Sequence, residues 1–372
     1  MGSKYPFYFR ATVILFGMVL FVYLLFMLRG ILVPLAFAVM ISILLNPLVS
    51  KLEQKKIPKV IAIIISLVIA TVFLAGIMIF ISSQIVTFSE NKAVLQQRFS
   101  DLFSHFQLWL QRHYSFPLAK QKQWISEASN NLKPLLASTL GTALDTLSVI
   151  VLLPVYVFLV LYYKTLILNF LYEVFAERNS KEVGFVLQQS QGAIQSYMVG
   201  LLLEAIIVAA LNSIALLILG VDYALLLGVI GAILNVLPYI GGIIAIALPI
   251  IIASITKDGY STQIGIIIAY MLIQFIDNNI IFPRIVSSKV KINALVTLVM
   301  VLLGGSLWGL AGMFLSIPII ATLKIIFDRI EELKPWGKIL GTEVPLFHKG
   351  HIWKRLRSAK ETLLKKRNDK TS

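Results

Sequence analysis

Long apolar runs alternate with short polar or basic segments along most of this chain of 372 residues. The N-terminal runs cover residues 11–28, 31–50 and about 60–82, and residues 146–163 and 198–219 form two more. Each approaches or exceeds the roughly 20 residues that an α-helix needs to cross a ~30 Å hydrocarbon layer. The pattern predicts an all-α, polytopic helical membrane protein.

Residues 83–145 differ from these runs because they are polar and charged. Within them, apolar residues recur at spacings of three and four from Leu95 to Trp109, which predicts one face of an amphipathic helix. A second stretch of this kind runs from Pro117 to about Leu140. We expect a small extramembrane helical insert whose two helices pack together or lie at the level of the lipid headgroups.

The apolar pattern is broken in the C-terminal half, where the apolar segments 224–236 and 243–255 are each too short to cross a bilayer comfortably. Pro238, Gly241 and Gly242 lie between them, and because proline lacks a backbone donor and glycine tolerates non-helical angles, the helix should break there. Broken backbone at membrane depth must be enclosed by protein or line a water-filled cavity. A functional break and a tight turn between close-packed helices both remain open.

A second glycine-rich interruption separates the apolar arms 293–303 and 313–327. The arms are either two short crossings or one re-entrant hairpin, and the glycines serve either close packing or a re-entrant turn. Counting these segments, we expect about eight transmembrane helices with broken or re-entrant segments in the C-terminal half. The glycines concerned are Gly304, Gly305, Gly309 and Gly312.

Composition strengthens the membrane assignment, since 58% of the residues are hydrophobic and only 14% are charged, against about 25% charged residues in soluble domains. The net charge of +15 is concentrated beside apolar runs, with 12 Lys+Arg against 5 Asp+Glu in residues 329–372. The positive-inside rule therefore predicts cytoplasmic N- and C-termini. Anionic lipid headgroups are the expected partner of the basic tail, and nucleic acid is not, because no aromatic-interleaved binding module accompanies the charge.

Enzyme and metal chemistry find no support in the sequence. Cysteine is absent, and His105 and His113 are eight residues apart without clustered carboxylates, so we expect no metal site. Motifs of zinc hydrolases, serine hydrolases and nucleotide-binding proteins are missing, so we expect neither an enzyme nor a cofactor nor an ATP-driven pump.

Glu204 and Asp277 are acidic residues that fall well inside expected spans. Ionisable groups there cost roughly 2.5–3.5 kcal/mol on insertion scales and usually mark transport pathways. Both are expected in the inner third of the membrane, and as neighbours they would exchange protons or cations. The alternatives are a snorkelling interfacial residue for Glu204 and a helix cap for Asp277.

Further residues of the same half are expected to line a polar route. Interhelical hydrogen bonds explain any single amide of this half, but four amides together with two carboxylates favour a polar route. The four amides are Asn212, Asn235, Gln274 and Asn293. The proposed lining residues are Asn235, Pro238, Tyr239, Gly241, Gly242, Gln274, Asn278, Asn279 and Pro283.

The C-terminal half contains an ordered set of motifs. They are Gly220-Val221-Asp222-Tyr223-Ala224, Leu237-Pro238-Tyr239-Ile240-Gly241-Gly242, Asp277-Asn278-Asn279 with Pro283, Gly304-Gly305 through Gly309 and Gly312, and Ile317-Pro318. In this order they resemble the autoinducer-2 exporter family. The resemblance implies a bacterial inner-membrane permease that is a homo-oligomer, with a pentamer as the expected form. Members of that family are linked to export of a furanosyl signalling molecule, and some to sodium/proton antiport.

These observations predict four regions and a leading function. The regions are N-terminal transmembrane helices (1–82), the extramembrane insert (83–145), a transmembrane transport region (146–328) and a basic cytoplasmic tail (329–372). The leading hypothesis is a secondary transporter that exports a small polar solute similar to autoinducer-2, with coupling to protons or sodium. The alternatives are a sodium/proton antiporter, or a non-transporting scaffold that sits among membrane lipids and recruits partners through the insert.

Overall fold

The computed structural model describes residues 6–90, 92–114, 117, 119–123, 126–127, 152–175, 180–236, 240–257, 259–286 and 292–342. Over these residues the chain is helical and contains no β-strand, which confirms the all-α prediction. In chain order the elements are α1 (Phe7–Met27), α2 (Arg29–Gln54), α3 (Lys59–Glu90), α4 (Lys92–Tyr114), α5 (Leu152–Tyr162), α6 (Lys164–Phe175), α7 (Ser180–Ile218), α8 (Ala224–Asn235), α9 (Ile240–Thr256), α10 (Ser261–Ile276), a π-helix (Asp277–Ile281), α11 (Phe282–Ile285), α12 (Ala294–Arg329), a 3-10 helix (Glu331–Leu333) and α13 (Lys334–Leu340).

Five helical segments of the described chain are long and apolar enough to cross a membrane, so the protein is multi-pass. A sixth span results if α5 and α6, which meet at an angle of 61°, are counted together. The apolar parts of α1, α8 and α9 are shorter, at 10–17 residues each. The expected number of about eight transmembrane helices therefore stays a prediction. The five are Arg29–Gln54, Lys59–Val86, Glu182–Ile218, Ser261–Ile285 and Ala294–Arg329.

The segment expected to be extramembrane begins inside a helix. Helix α3 continues without a break from Lys59 to Glu90, past the expected boundary at residue 82. Helix α4 forms the first amphipathic helix and reaches α9, because Arg98 Nη1 donates a hydrogen bond to the Ile255 carbonyl at 3.4 Å. Most of the second amphipathic stretch, from residue 128 to 140, lies outside the described residues.

Helices α8 and α9 form an antiparallel pair, the first hairpin. Helix α8 ends at Asn235 and α9 begins at Ile240, so the helix is interrupted where Pro238 predicts an interruption. Ala245 of α9 packs against Gly231 of α8, and Gly241 lies against the Leu234 backbone so closely that a Cβ would overlap its carbonyl. The arms are about 18 and 26 Å long, shorter than a ~30 Å hydrocarbon layer.

Helix α12 also folds back on itself and forms the second hairpin. Trp308 and Gly309 leave the helical conformation, and Gly309 has a φ of +63°, in the left-handed region that glycine adopts easily. Ser316 Oγ donates to the Met300 carbonyl at 2.9 Å, although 16 residues of straight helix would separate them by about 24 Å. The arms 294–307 and 310–329 therefore lie side by side, and α12 is not one straight span despite its length.

The two hairpins point in opposite directions along α7, the longest helix of the described chain. Asp222, before α8, and Lys257, after α9, form an exposed ion pair at 3.9 Å, so the base of the first hairpin lies next to the C-terminal end of α7. Arg329 at the end of α12 forms an exposed ion pair with Glu182 at 3.5 Å, so the base of the second hairpin lies at the N-terminal end of α7. Short apolar segments thus enter the helical layer from both sides.

Close glycine contacts in the second hairpin generate a stability prediction. Gly304 and Gly312 face each other so tightly that a Cβ on either would overlap the other's backbone. We expect Gly304→Ala and Gly312→Ala each to lower the free energy of unfolding by about 1–3 kcal/mol, because backbone cannot move aside as a flexible side chain does. Thermal unfolding in detergent, followed by tryptophan fluorescence, measures the effect.

Gly76→Ala is the matched control for these two variants. Gly76 lies inside α3, and a Cβ there would meet no atom within 4 Å, so the substitution should leave the midpoint unchanged or raise it slightly through better helix propensity. Equal midpoints for all three variants would contradict the packed hairpin.

Candidate transport site

Glu204 and Asp277 come together where α7, the first hairpin and the end of α10 meet. Glu204 lies within α7 and is 6% exposed, and Asp277 at the start of the π-helix is 3% exposed. Their carboxyl groups are close enough for their charges to interact. Glu204 is thus enclosed by protein, which disagrees with the interpretation as a snorkelling interfacial residue.

Asp277 does not cap a helix, contrary to the alternative interpretation of the sequence. Helix α10 passes directly into the π-helix Asp277–Ile281 and then into α11, so the chain stays helical through this point. Single π-turns within α-helices are frequent at functional sites. Asp277 Oδ2 instead accepts a hydrogen bond from Asn235 Nδ2 at 3.0 Å, which links the π-helix to the tip of the first hairpin.

Amide side chains surround this link. Gln274 Nε2 donates to Asn278 Oδ1 at 3.3 Å, one turn along the same helix. Gly242 of α9 lies beside both Gln274 and Asn235, and a Cβ there would be 3.4 Å from Gln274 Oε1. The start of α9 thus lies against the polar face of α10.

Both carboxyl groups line one cavity of about 710 Å³, the main cavity. This volume is within the range of pockets that hold small organic molecules. Its wall combines apolar side chains with a limited polar set contributed by α7, α8, α10, the π-helix and α12. The polar lining residues are Tyr197, Glu204, Asn235, Tyr270, Gln274, Asp277, Asn278 and Thr297, with the backbone of Gly242.

The structure brings together most, but not all, of the residues that the sequence singled out. Glu204, Asp277, Asn235, Gln274, Asn278 and Gly242 line the main cavity. Gly241 is buried inside the first hairpin, whereas Asn279 and Pro283 are exposed and lie outside the cavity lining. Asn279 Nδ2 instead donates to the Phe275 carbonyl at 2.8 Å. Pro238 and Tyr239 lie outside the described residues.

The glycines of the second hairpin serve its turn and packing rather than the cavity wall. Gly304 and Gly312 form the close backbone contact, Gly305 packs against Met313, and Gly309 makes the turn. Trp308 Nε1 holds this turn against α1 by donating to the Leu25 carbonyl at 3.0 Å.

Sequence reasoning missed Tyr197 and Tyr270, because a tyrosine inside an apolar run is typical of an ordinary core residue. Helical spacing carries the signal that would have found them. Tyr197 precedes Glu204 by seven residues, and Tyr270 precedes Asp277 by seven, so each lies two turns away on the same helix face. Polar residues at i and i+7 within an apolar helix mark a polar stripe.

In the part of the chain that the structure describes, no three His, Asp or Glu side chains come together in a group that could hold a transition metal. His113 on α4 stacks on Trp109 and contacts its carbonyl at 3.2 Å, which is the role of an ordinary interfacial residue.

A multi-pass helical protein with short opposed hairpins around a polar cavity belongs to the class of membrane transport proteins. The family model described as AI-2E family transporter matches residues 13–332. The chain therefore belongs to the AI-2E transporter family, whose members are transporters and permeases rather than enzymes.

Three relatives illustrate this membership. The chain is 32% identical to "Putative transport protein YrrI" of Bacillus subtilis over 38% of this chain and 39% of that protein. It is 31% identical to "Putative permease PerM" of Escherichia coli over 51% of this chain and 54% of that protein. It is 28% identical to "AI-2 transport protein TqsA" of Escherichia coli over 38% of this chain and 41% of that protein. The matches thus span about two fifths to one half of these relatives' length.

The hydrogen bond between Asn235 and Asp277 predicts energetic coupling between the first hairpin and the π-helix. A double-mutant cycle of Asn235→Ala and Asp277→Ala should give a coupling free energy of about 1–3 kcal/mol. Asn235→Ala leaves the buried Asp277 carboxyl group, and Asp277→Ala the half-buried Asn235 amide, without its partner in this bond. Chemical unfolding in detergent measures the four free energies.

Asn279→Ala is the control for this cycle, because its side chain bonds only to its own helix turn. Combined with Asp277→Ala it should be additive within about 0.5 kcal/mol. A coupling free energy between Asn235 and Asp277 as small as that between Asn279 and Asp277 would contradict the link between the first hairpin and the π-helix.

Proposed function

We propose that this protein is a secondary transporter that moves a small polar solute through the main cavity, coupled to protons or cations at Glu204 and Asp277. The observation that carries the proposal is the burial of two carboxyl groups in one cavity, beside amides and a broken helix. Charged groups buried in a membrane protein cost free energy and persist where they bind or move charge. The proposed setting is the bacterial inner membrane, with both termini in the cytoplasm.

The lining of the main cavity suits a compact solute that carries several hydroxyl or carbonyl groups. Asn235, Gln274 and Asn278 offer both donors and acceptors, and none of the described lining residues is a Lys, Arg or His that would bind an anion. A furanosyl molecule similar to autoinducer-2 has this chemistry. The name of the relative TqsA supports this solute class for the present chain, and export is the proposed direction.

The opposed hairpins offer a physical route to alternating access. The first hairpin meets the π-helix through Asn235, while the base of the second contributes Thr297 to the same cavity. A small displacement of either hairpin would open the cavity toward one end of α7, as in transporters built from broken helices.

Assembly into a homo-oligomer, with a pentamer as the expected form, is part of the proposal. Helices α1 and α3 expose apolar side chains along most of their length, for example Phe16 and Phe73. Such faces serve lipid contact and contact with further copies of the chain.

Flux measurements test the proposal directly. In liposomes with an imposed proton or sodium gradient, the wild-type protein should move radiolabelled furanosyl solute against its concentration gradient. Glu204→Gln and Asp277→Asn keep side-chain size but remove the ability to carry a charge, so each should reduce gradient-driven flux at least about tenfold, a barrier change of about 1.4 kcal/mol.

Matched controls use exposed acidic residues that lie outside the main cavity. Glu182→Gln is the control for Glu204→Gln, because Glu182 lies on the same helix as Glu204. Asp222→Asn makes the same chemical change as Asp277→Asn. Among the described residues, Glu182 and Asp222 each form an exposed ion pair, worth about 0–1 kcal/mol. Both controls should retain flux. Gradient-driven flux that survives in Glu204→Gln and Asp277→Asn alike would overturn the coupling role, and inert wild-type liposomes would favour the scaffold hypothesis.

A further inference from the structure

A much smaller cavity adjoins the main cavity and shares four lining residues with it, among them Asp277. Its volume is about 10 Å³, which corresponds to about one water-sized sphere. The polar residues that line it come from α7, α8 and α10 with its π-helix. They are Asn212, Asn235, Tyr270, Gln274 and Asp277. Glu204 is not among the residues that line this small cavity.

Three of these side chains present an oxygen atom without a hydrogen-bond partner among the described residues. They are Asn212 Oδ1, Tyr270 OH and Asp277 Oδ1, in side chains whose residues are 2%, 7% and 3% exposed. Native proteins rarely leave buried polar atoms unsatisfied, and a cluster of three around one cavity calls for a common ligand.

The neighbouring contacts restrict what that ligand is. Asn235 Nδ2 is already engaged by Asp277 Oδ2 at 3.0 Å, and Gln274 Nε2 by Asn278. The three atoms left without a partner are all oxygens, of which the Tyr270 hydroxyl can also donate its own proton. A carboxylate, an amide oxygen and a hydroxyl oxygen are the ligand types that hard cations prefer.

Charge and size restrict the ligand further. Among the described residues, the small cavity is lined by one carboxyl group and by no Lys, Arg or His. A single positive charge therefore balances Asp277 when Glu204 is protonated, whereas a divalent ion would then leave an excess charge buried. A volume of about one water sphere admits a small dehydrated ion but not a hydrated one.

We propose that the small cavity is a binding site for a dehydrated monovalent cation of sodium size, held by Asn212, Tyr270 and Asp277. The cation bridges α7 and α10, while Glu204 in the main cavity remains free to carry a proton. The inference rests on the proposed function only for the ion's role in coupling, because cation binding is measurable without any transport.

Thermal unfolding in nanodiscs, followed by tryptophan fluorescence, tests the binding. At about 100 mM salt and constant ionic strength, NaCl should raise the midpoint by ~3 °C or more relative to choline chloride, because a ligand that binds only the folded protein stabilises it. LiCl should act similarly, and KCl should not. An equal shift in NaCl and KCl overturns the proposal.

Conservative variants locate the site. Tyr270→Phe removes one oxygen and leaves the ring, Asn212→Leu removes the amide at similar size, and Asp277→Asn removes the charge. Each should raise the half-saturating sodium concentration at least about tenfold. Tyr260→Phe, on an 81% exposed side chain before the same helix, should leave it unchanged. Wild-type values in Tyr270→Phe and Asn212→Leu would mean that the cavity holds water only and overturn the proposal.

Glu204→Gln separates this inference from the proposed function. The variant should keep the sodium-dependent shift while losing coupled flux, because Glu204 lines only the main cavity. Wild-type protein that transports but shows no sodium-dependent shift overturns the cation site alone. A sodium-dependent shift without any solute flux supports the site and overturns the proposed function.

Discussion

Helices that are too short to cross a membrane leave terminal backbone N–H and C=O groups that hydrocarbon cannot satisfy, and this constraint shapes the C-terminal half of the chain. The first hairpin and the second hairpin both contain such arms, so their turns must be enclosed by protein or water. Enclosure demands close packing, and glycine provides it: Gly241 lies on the Leu234 backbone, and Gly304 lies on Gly312. Helix α7 supplies the common wall, and the base of one hairpin lies at each of its ends.

Polar side chains collect at the tip of the first hairpin. Asn235, the last residue of α8, donates from Nδ2 to Asp277 Oδ2, and this side-chain bond links the hairpin to the π-helix. The other oxygen of the same carboxyl group is buried without a partner among the described residues, as are oxygens of Asn212 and Tyr270. The link between the hairpin and the π-helix therefore adjoins two cavities, one of about 710 Å³ and one of about 10 Å³.

Much of this architecture could be predicted from the sequence, because apolar periodicity and helix breakers act locally. The position of the first break followed from Pro238 and its neighbouring glycines, and Glu204 and Asp277 stood out because charge is scarce in apolar runs. The sequence could not distinguish a hairpin in α12 from two separate membrane crossings, because Gly309 indicates a break in the helix but not how the two arms pack. Tyr270 and Asn212 were not assigned to one site because only tertiary packing brings α7 and α10 together. Helix α3 continues to Glu90, beyond its apolar run, because polarity ends an apolar run without ending a helix.

Water access to the main cavity is the most direct test of the account, and the absence of cysteine makes the measurement clean. Single cysteines at Asn278 and Thr297, which line the cavity, are compared with one at Ile268, an exposed residue of α10 outside its lining. A membrane-impermeant thiol reagent, applied to either side of sealed vesicles, reports which positions contact water. The account predicts that Asn278→Cys and Thr297→Cys react readily and that Ile268→Cys, facing lipid, does not. Cavity cysteines as unreactive as Ile268→Cys would contradict a polar transport route between the hairpins.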